Sequence, residues 1–144
     1  MKRRKPQPVA LPYPNAVSAA VDLTPLAPAG RQFIERYAPS GFRVSGVIYR
    51  GSVLVFPDRT EPWTVTDAST VTWESLAPVV EHGGVQILLL GLGRAIGRVP
   101  AALRTALRDV GIALEPMDTG AACRTYNVLA SEGRQLAAAL ILPI

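Results

Sequence analysis

The sequence predicts an α/β protein of three layers, in which a mixed central sheet is flanked by helices and preceded by an antiparallel β-meander. Three observations support this prediction. A nearly continuous apolar run from Val85 to Leu90 is typical of a strand covered on both faces. Helical segments of about ten residues separate it from two later apolar segments, as in βαβ units with parallel strands. Short β-type segments joined by turns come before it, which indicates antiparallel pairing.

The chain of 144 residues fits one domain, which we place at residues 31–144. Its composition, 49% hydrophobic and 18% charged, is that of an ordinary globular protein. Residues 1–30 are expected to form a basic, mostly irregular arm. This arm is rich in proline, which has no backbone N–H to donate to a helix or sheet. Within it, Val17 to Leu23 could form a short turn or dock on the body.

The first half of the domain is predicted to be β-structure. Four segments have the composition or alternation of strands: one around Phe33 to Tyr37, then Phe42 to Gly46, Val47 to Tyr49 and Ser52 to Phe56. A turn is expected at Pro39 to Gly41. We predict a tight hairpin turn at Arg50 and Gly51, because glycine tolerates positive φ. The loop that follows contains Trp63, which is expected to cover an edge of the core.

Helices and strands alternate in the second half. The predicted helices are Trp73 to Glu81 with Thr72 as its cap, Ala101 to Val110 after Pro100, and Thr119 to Ser131 with Thr119 as its cap. Glycines at the ends of these segments indicate where each helix stops. The predicted strands are Val85 to Leu90, Ile112 to Met117 and Leu136 to Leu142. We therefore expect these three strands to be joined by helical crossovers.

The formal net charge of +4 is concentrated at one end of the chain. Lys2, Arg3, Arg4 and Lys5 account for four of the 15 basic residues, which leaves 11 basic against 11 acidic residues in the body. Such a tail either contacts a nucleic acid or an anionic membrane, or is a solvated end. The neutral body argues against a broad nucleic-acid face, so no nucleic-acid partner is expected.

Several classes of protein are disfavoured by composition. The apolar runs are shorter than the roughly 20 residues needed to cross a bilayer, and prolines interrupt the segment after the basic residues. The sequence therefore predicts a soluble, cytoplasmic protein. With one cysteine and one histidine, the chain cannot supply a structural zinc site of such ligands by itself. The acidic residues form no recognisable metal-binding motif, so no metal or other cofactor is expected.

Two glycines after the buried strand form the first candidate site. Gly91 and Gly93 could cradle a phosphate as in a dinucleotide-binding turn. The next glycine, Gly97, gives the spacing G-x-G-x-x-x-G, and no helix is expected before Pro100, so the motif lacks its required context. The alternative is a flexible turn between strand and helix. Accessible backbone N–H groups and Arg94 could nevertheless hold a small anion there.

The helix that begins near Thr119 offers the second candidate site. Its start follows a predicted strand, where helix N-termini attract anions. Thr119, Arg124 and Asn127 could together form a polar binding site. Alternatively, Arg124 and Asn127 satisfy loop carbonyls while Tyr126 packs in the core. We favour this second interpretation, because most buried polar groups serve the structure.

Cys123 is the only candidate nucleophile of the cysteine type. A helix N-terminus could favour its thiolate. The single histidine, His82, lies at the end of another predicted helix, and nothing in the sequence brings the two together. We therefore assign no catalytic residue, and we interpret Cys123 as a small, partly buried side chain.

The most specific pattern is a run along the second half: Gly111-Ile-x-x-Glu-x-Met117, Thr119-x-Ala-Ala-Cys-Arg-Thr-Tyr-Asn-Val-Leu129 and Glu132-Gly-Arg134. Gly51-Ser-Val-Leu-Val55 and Trp63 add to it. The combination resembles the small α/β family of unknown function that includes mitochondrial complex I assembly factor 3 and the human adipogenesis-associated protein. The resemblance covers about Phe33 to Leu142.

The resemblance implies a three-layer fold with a mixed central sheet whose last strand runs antiparallel to its neighbours. It implies no known enzymatic activity and no established cofactor. It also implies kinship with a chaperone-like assembly factor that works through a partner protein. The arginine-rich, lysine-poor composition suits a bacterial, cytosolic relative.

Two hypotheses for function follow. The leading one is a non-enzymatic interaction module that resembles an assembly factor, with a protein partner and a role in the assembly of respiratory complexes. The alternative is a small-molecule or anion-binding protein or an enzyme, with a site formed by Gly91, Gly93, Arg94, Thr119, Arg124 and Asn127. The sequence does not indicate an oligomeric state.

Overall fold

The computed structural model describes residues 20–23, 30–94 and 97–144. Its strands are β1 Val21–Asp22, β2 Ile34–Ala38, β3 Gly41–Val44, β4 Val47–Tyr49, β5 Val53–Val55, β6 Thr60–Pro62, β7 Ile87–Leu92, β8 Ala113–Met117 and β9 Leu136–Ile141. Its helices are α1 Ala77–His82, α2 Ala101–Asp109 and α3 Thr119–Ser131, with 3-10 turns at Ala68–Thr70 and Glu74–Leu76. The basic run from Lys2 to Lys5 lies outside the described residues.

Strands β1 to β4 form an antiparallel sheet in that order, which we call the meander sheet. Strand β1 pairs with β2, so part of the segment from Val17 to Leu23 docks on the body. A two-residue turn at Ser45 and Gly46 joins β3 to β4. Both turn residues have positive φ, 46° and 86°, as in the turns that match the twist of a hairpin.

The hairpin predicted at Arg50 and Gly51 is wrong. Strands β4 and β5 do not pair, because the chain passes at Gly51 from the meander sheet to a second sheet. Alternation along a strand reveals which side chains share a face, but it does not identify the neighbouring strand. Strand β6 was also not anticipated, since Thr60–Pro62 has no apolar alternation.

The second sheet, which we call the central sheet, has the order β6-β5-β9-β7-β8. Strand β7 pairs in parallel with both β8 and β9, which confirms the predicted crossovers. Strand β9 is antiparallel to β5 but parallel to β7, so the expectation of a last strand antiparallel to its neighbours is confirmed for β5 and wrong for β7. The reason is that α3 carries the chain back across the sheet before β9 begins.

Apolar side chains cover both faces of the central sheet. One face, with Leu88 and Leu90, packs under α2 and the segment that contains Trp63. The other face, with Leu89, packs against α3 and the meander sheet. The three-layer arrangement with a mixed central sheet is therefore confirmed. Within the described ranges, no helix has the length and apolar character needed to cross a membrane.

The helix boundaries follow local hydrogen bonds. The hydroxyl of Thr72 accepts from the backbone N–H of Ser75 at 3.1 Å, as expected of a cap, although the first turn is 3-10 in form. At α3, however, the cap is Asp118 and not Thr119. The Asp118 carboxylate accepts from the N–H of Ala121 at 2.9 Å. Thr119 is already helical, and its hydroxyl has other partners.

Candidate functional site

The two candidate loops are joined where the parallel strands β7 and β8 end. Thr119 donates its backbone N–H to the carbonyl of Gly93 at 2.8 Å. The N–H of Gly93 donates in return to Thr119 Oγ1, also at 2.8 Å. Adjacent parallel strands have their carboxyl ends at the same edge of a sheet, so the glycine turn meets the start of α3 there.

Thr119 and Gly91 lie beneath this junction, away from solvent. The Thr119 hydroxyl accepts from Gly93 and donates to the carbonyl of Ile141 at 2.6 Å, so it bonds both candidate loops to β9. Its side chain is fully buried. A Cβ on Gly91 would lie 3.0 Å from the Thr119 Cα, so glycine at this position lets α3 approach β7 closely.

Gly93, Arg94 and Arg124 do come together at the surface. They border a shallow pocket of about 330 Å³ at the N-terminus of α3, with Gly120 and Tyr37 also in its lining. Arg124 is exposed, and its guanidinium donates to the Tyr37 hydroxyl at 2.9 Å. Three of the six predicted site residues therefore share a solvent-facing pocket.

Asn127 faces the opposite direction. It is 4% exposed and projects from α3 towards the meander sheet. Its Oδ1 accepts from the N–H of Ile34 at 3.0 Å, and its Nδ2 donates to the carbonyl of Ile34 at 2.9 Å. One amide side chain thus satisfies both backbone groups of a residue beside a register shift in β2. Asn127 joins α3 to a strand and is not available to a ligand.

Tyr126 and Cys123 also belong to the interior. The Tyr126 hydroxyl donates to the carbonyl of Phe56 at 3.3 Å, and burial raises the pKa of the phenol. Cys123 is completely buried, and this burial raises the pKa of its thiol. A buried neutral thiol without a neighbouring base is a packing group and not a nucleophile.

His82 is remote from Cys123. Its ring stacks on Phe56 with the centroids 4.4 Å apart, and Phe56 belongs to the core cluster on the other face of the central sheet. Both ring nitrogens face acceptors: Nε2 lies 2.7 Å from Asp58 Oδ1, and Nδ1 lies 2.9 Å from the carbonyl of Gly83. These contacts tie the end of α1 to the loop after β5.

The described parts of the chain contain no cluster of three or more His, Cys, Asp or Glu side chains that could hold a metal ion. The polar side chains of the motif-bearing helix are largely engaged in internal hydrogen bonds. Among the described residues around the start of α3, surface arginines remain available for recognition of a ligand.

A surface feature that sequence reasoning missed lies on the outer face of the meander sheet. Directly opposed residues on successive strands place Asp22, Arg36, Arg43 and Ile48 in one row. They line a groove of about 500 Å³, together with Arg50. The sequence contained one indication of this groove. Ile48 is apolar, yet it alternates with its neighbours so that it falls on the polar, solvent-facing side of the sheet. We call this feature the arginine groove.

Comparison with known proteins places these observations in a family. The model of a family described as "Protein of unknown function (DUF498/DUF598)" matches residues 34–141. An uncharacterized protein of Rhodobacter capsulatus is 40% identical over 113 residues, which are 78% of this chain and 86% of that protein. A crystal structure from Bartonella henselae, described as an outer membrane protein, has 36% identity and a TM-score of 0.72 over 78% of this chain and 96% of its own.

The relatives also include NADH dehydrogenase [ubiquinone] 1 alpha subcomplex assembly factor 3. The Danio rerio protein of that name is 38% identical over 111 residues, which are 76% of this chain. The matched region is 64% of the zebrafish protein, so this chain corresponds to somewhat less than two thirds of that relative. The resemblance found in the sequence is thereby confirmed, and the chain belongs to the DUF498/DUF598 family of proteins of unknown function.

Proposed function

We propose that the protein is a non-enzymatic interaction module of the assembly-factor type, which acts in the cytoplasm on a component of a respiratory complex. The name of the zebrafish relative supports the process, since that protein is a complex I assembly factor. The internal use of Thr119, Tyr126 and Asn127 supports a role without catalysis. Binding to a partner must then take place at the surface of the protein.

The observation that carries the proposal is the arginine groove. Three arginines, from β2, from β3 and from the position after β4, line one depression together with the exposed side chain of Ile48. Arg36 is paired with Asp22 at 2.6 Å, and Arg43 with Glu35 at 3.2 Å. None of the ion pairs among the described residues involves Arg50.

These features favour a protein partner with an acidic segment. Asp22 and Glu35 are interspersed with the arginines and would repel a run of phosphates, whereas single carboxylates can reach Arg50. Ile48 is 61% exposed and offers apolar contact beside the charges. A mixed apolar and cationic surface of this kind is typical of protein interfaces, where arginine is enriched.

The test is capture of a partner by the tagged protein from detergent-solubilised membranes of its own cell. Mass spectrometry would determine whether subunits of a respiratory complex are enriched. Arg36→Glu alters the groove, and Arg108→Glu, on the exposed face of α2, is the matched control. We expect recovery to fall about fivefold with Arg36→Glu only, since a charge reversal at an interface rim costs roughly 1 kcal/mol. Absence of such subunits, or equal recovery with both variants, would refute the proposal.

A second candidate function is favoured by the pocket that joins Gly93, Arg94 and Arg124. We propose that this pocket binds a small anion, with the two guanidinium groups as cationic contacts that outweigh the Asp118 carboxylate, which also lines the pocket and already caps α3. No catalytic role is assigned to any residue there.

Thermal unfolding with phosphate, nucleotides and small organic acids tests this second function. We expect at least one of them to raise the Tm of the native protein, and Arg94→Gln and Arg124→Gln to abolish the increase. Arg108→Gln, away from the pocket, should retain it. An unchanged Tm with every compound would eliminate the anion-binding function.

A further inference from the structure

Strand β4 is an outer strand of the meander sheet, and no other strand in the described part of the chain pairs with its free edge. The edges of the central sheet are protected. Strand β8 contains Pro116, and the guanidinium of Arg104 donates to the carbonyl of Leu114 at 2.8 Å. Strand β6 ends at Pro62. Proline and charged side chains are common means of preventing strand addition at an edge. Strand β4 contains neither.

The backbone of β4 is oriented for pairing. Val44 and Val47 are partners on either side of the two-residue turn, so they form a hydrogen-bonded pair of the ladder. Successive residues direct their backbone groups to opposite sides of a strand. Ile48 therefore points its N–H and C=O away from β3, towards the open edge. Its side chain is 61% exposed, and that of Val47 is 51% exposed.

We infer that β4 pairs with β4 of a second copy of this chain, antiparallel and centred on Ile48, so that two meander sheets become one continuous sheet. The inference concerns self-association, but it uses Ile48 and Arg50, which also line the arginine groove, so a second copy and the proposed partner would compete for these two side chains. In this register, each Ile48 exchanges two backbone hydrogen bonds with the other copy's Ile48. Val47 of one copy lies opposite Tyr49 of the other, which adds apolar contact across the two-fold axis.

Charge complementarity supports a second copy as the occupant. Antiparallel pairing about Ile48 places Arg50 of one copy opposite Gly46 of the other. The N–H of Gly46 donates to Glu35 Oε1 at 2.8 Å, so a carboxylate is already held at that position. Arg50 and Ile48 both line the arginine groove and so lie on the same face of the sheet. Each dimer would thus contain two symmetric sites at which Arg50 shares the Glu35 carboxylate with Arg43 of the other copy.

Site-specific cross-linking tests the register. In a hydrogen-bonded antiparallel pair the Cα atoms are about 5.5 Å apart, within the range a disulfide can bridge. Ile48→Cys is therefore expected to give a covalent dimer under mild oxidation. The native Cys123 is completely buried and does not compete. Val110→Cys, at an exposed apolar position after α2, is the control and should remain monomeric on a non-reducing gel. No dimer with Ile48→Cys, or equal yields with both variants, overturns the inference.

Sedimentation equilibrium provides the second test. We expect the native protein to show a concentration-dependent dimer, and Arg50→Glu to raise the dissociation constant about tenfold, because the reversal affects two symmetric pairs. Arg108→Glu should leave it unchanged. A native protein that stays monomeric overturns the dimer but leaves partner capture through Arg36 intact. If the dimer persists but the protein captures no partner, the proposed function is overturned and the dimer stands.

Discussion

At the scale of single residues, the polar side chains of helix α3 hydrogen-bond to the segments that pack around it. Thr119 bonds the glycine turn and β9, Tyr126 bonds the carbonyl of Phe56, and Asn127 bonds both backbone groups of Ile34. Each contact joins segments far apart in the chain. A buried backbone group that loses its partner costs roughly 1–3 kcal/mol. These hydrogen bonds therefore offset the conformational entropy lost when the side chains are ordered.

Substitution of Asn127 by leucine should destabilise the protein strongly. Asn127→Leu keeps the side-chain volume but leaves the N–H and C=O of Ile34 without partners. We expect the free energy of unfolding to fall by roughly 2–4 kcal/mol, measured by urea denaturation. Val128→Ala, the neighbouring exposed position on α3, should change it by less than about 0.5 kcal/mol. A loss below about 1 kcal/mol for Asn127→Leu would contradict this account.

The contact between Asp58 and His82 should make stability depend on pH. The hydrogen bond from the His82 ring holds the pKa of the Asp58 carboxyl below its ordinary value of 3.8, despite an opposing effect of burial. A carboxyl with a lowered folded-state pKa contributes stability above its unfolded pKa, and that contribution is lost as pH falls through the folded pKa. Asp58→Asn should therefore destabilise the protein most above about pH 5 and progressively less below about pH 4.

Urea denaturation of the native protein and Asp58→Asn across this pH range measures the difference. Asp109→Asn, at the exposed end of α2, is a matched control for the loss of one carboxylate. A difference between native protein and Asp58→Asn that grows as the pH is lowered would show that the sign is wrong.

At the scale of elements, the turn between β2 and β3 demands glycine. A Cβ on Gly41 would lie 2.2 Å from the carbonyl oxygen of Tyr49, and Gly41 has φ of 152°. Gly41→Ala must therefore push β4 away from β3. We expect a loss of at least about 2 kcal/mol in the free energy of unfolding, as is usual for overpacking combined with backbone strain.

Gly51 is the matched control for this element. A Cβ there would have no heavy atom within 4 Å, and its φ lies outside the left-handed region. Gly51→Ala should be neutral or slightly stabilising, because alanine restricts the unfolded chain. Equal effects of the two substitutions in denaturant unfolding would disprove the steric explanation for Gly41.

The sequence predicted elements better than their partners. Continuous apolar character identified β7, and glycine at Gly111 marked the end of α2 correctly. The pairing of β4 was not predictable, because a strand's alternation is the same whichever neighbour it has. Only part of the candidate site could be predicted from the sequence, for a similar reason. Helical spacing placed Arg124 and Asn127 on neighbouring positions, but it could not show that the meander sheet covers Asn127 and leaves Arg124 exposed.

At the scale of the whole molecule, α3 and β9 hold the layers together. Strand β9 lies in the middle of the central sheet, and all six of its residues are buried. Its alanines, Ala137 to Ala139, allow close packing on both faces. Helix α3 contacts both the central sheet and β2, so the two sheets share one helix as their common support.

Hydrogen exchange should follow this arrangement. We expect the slowest amides in β7 and β9, which have strand partners on both sides, and the fastest strand amides in β1 and β6, which lie at sheet edges. Residue-resolved exchange by NMR measures the order, and rapidly exchanging amides in β9 would contradict it.

The central position of β9 also has a consequence for synthesis on the ribosome. Strands β5 and β7 leave the exit tunnel well before residues 136–141, yet β9 is the strand that joins them. Until β9 emerges, each of these strands has an apolar edge without its central neighbour, and such edges are prone to aggregate. The central sheet of the nascent chain is therefore completed only after residue 141 has left the tunnel.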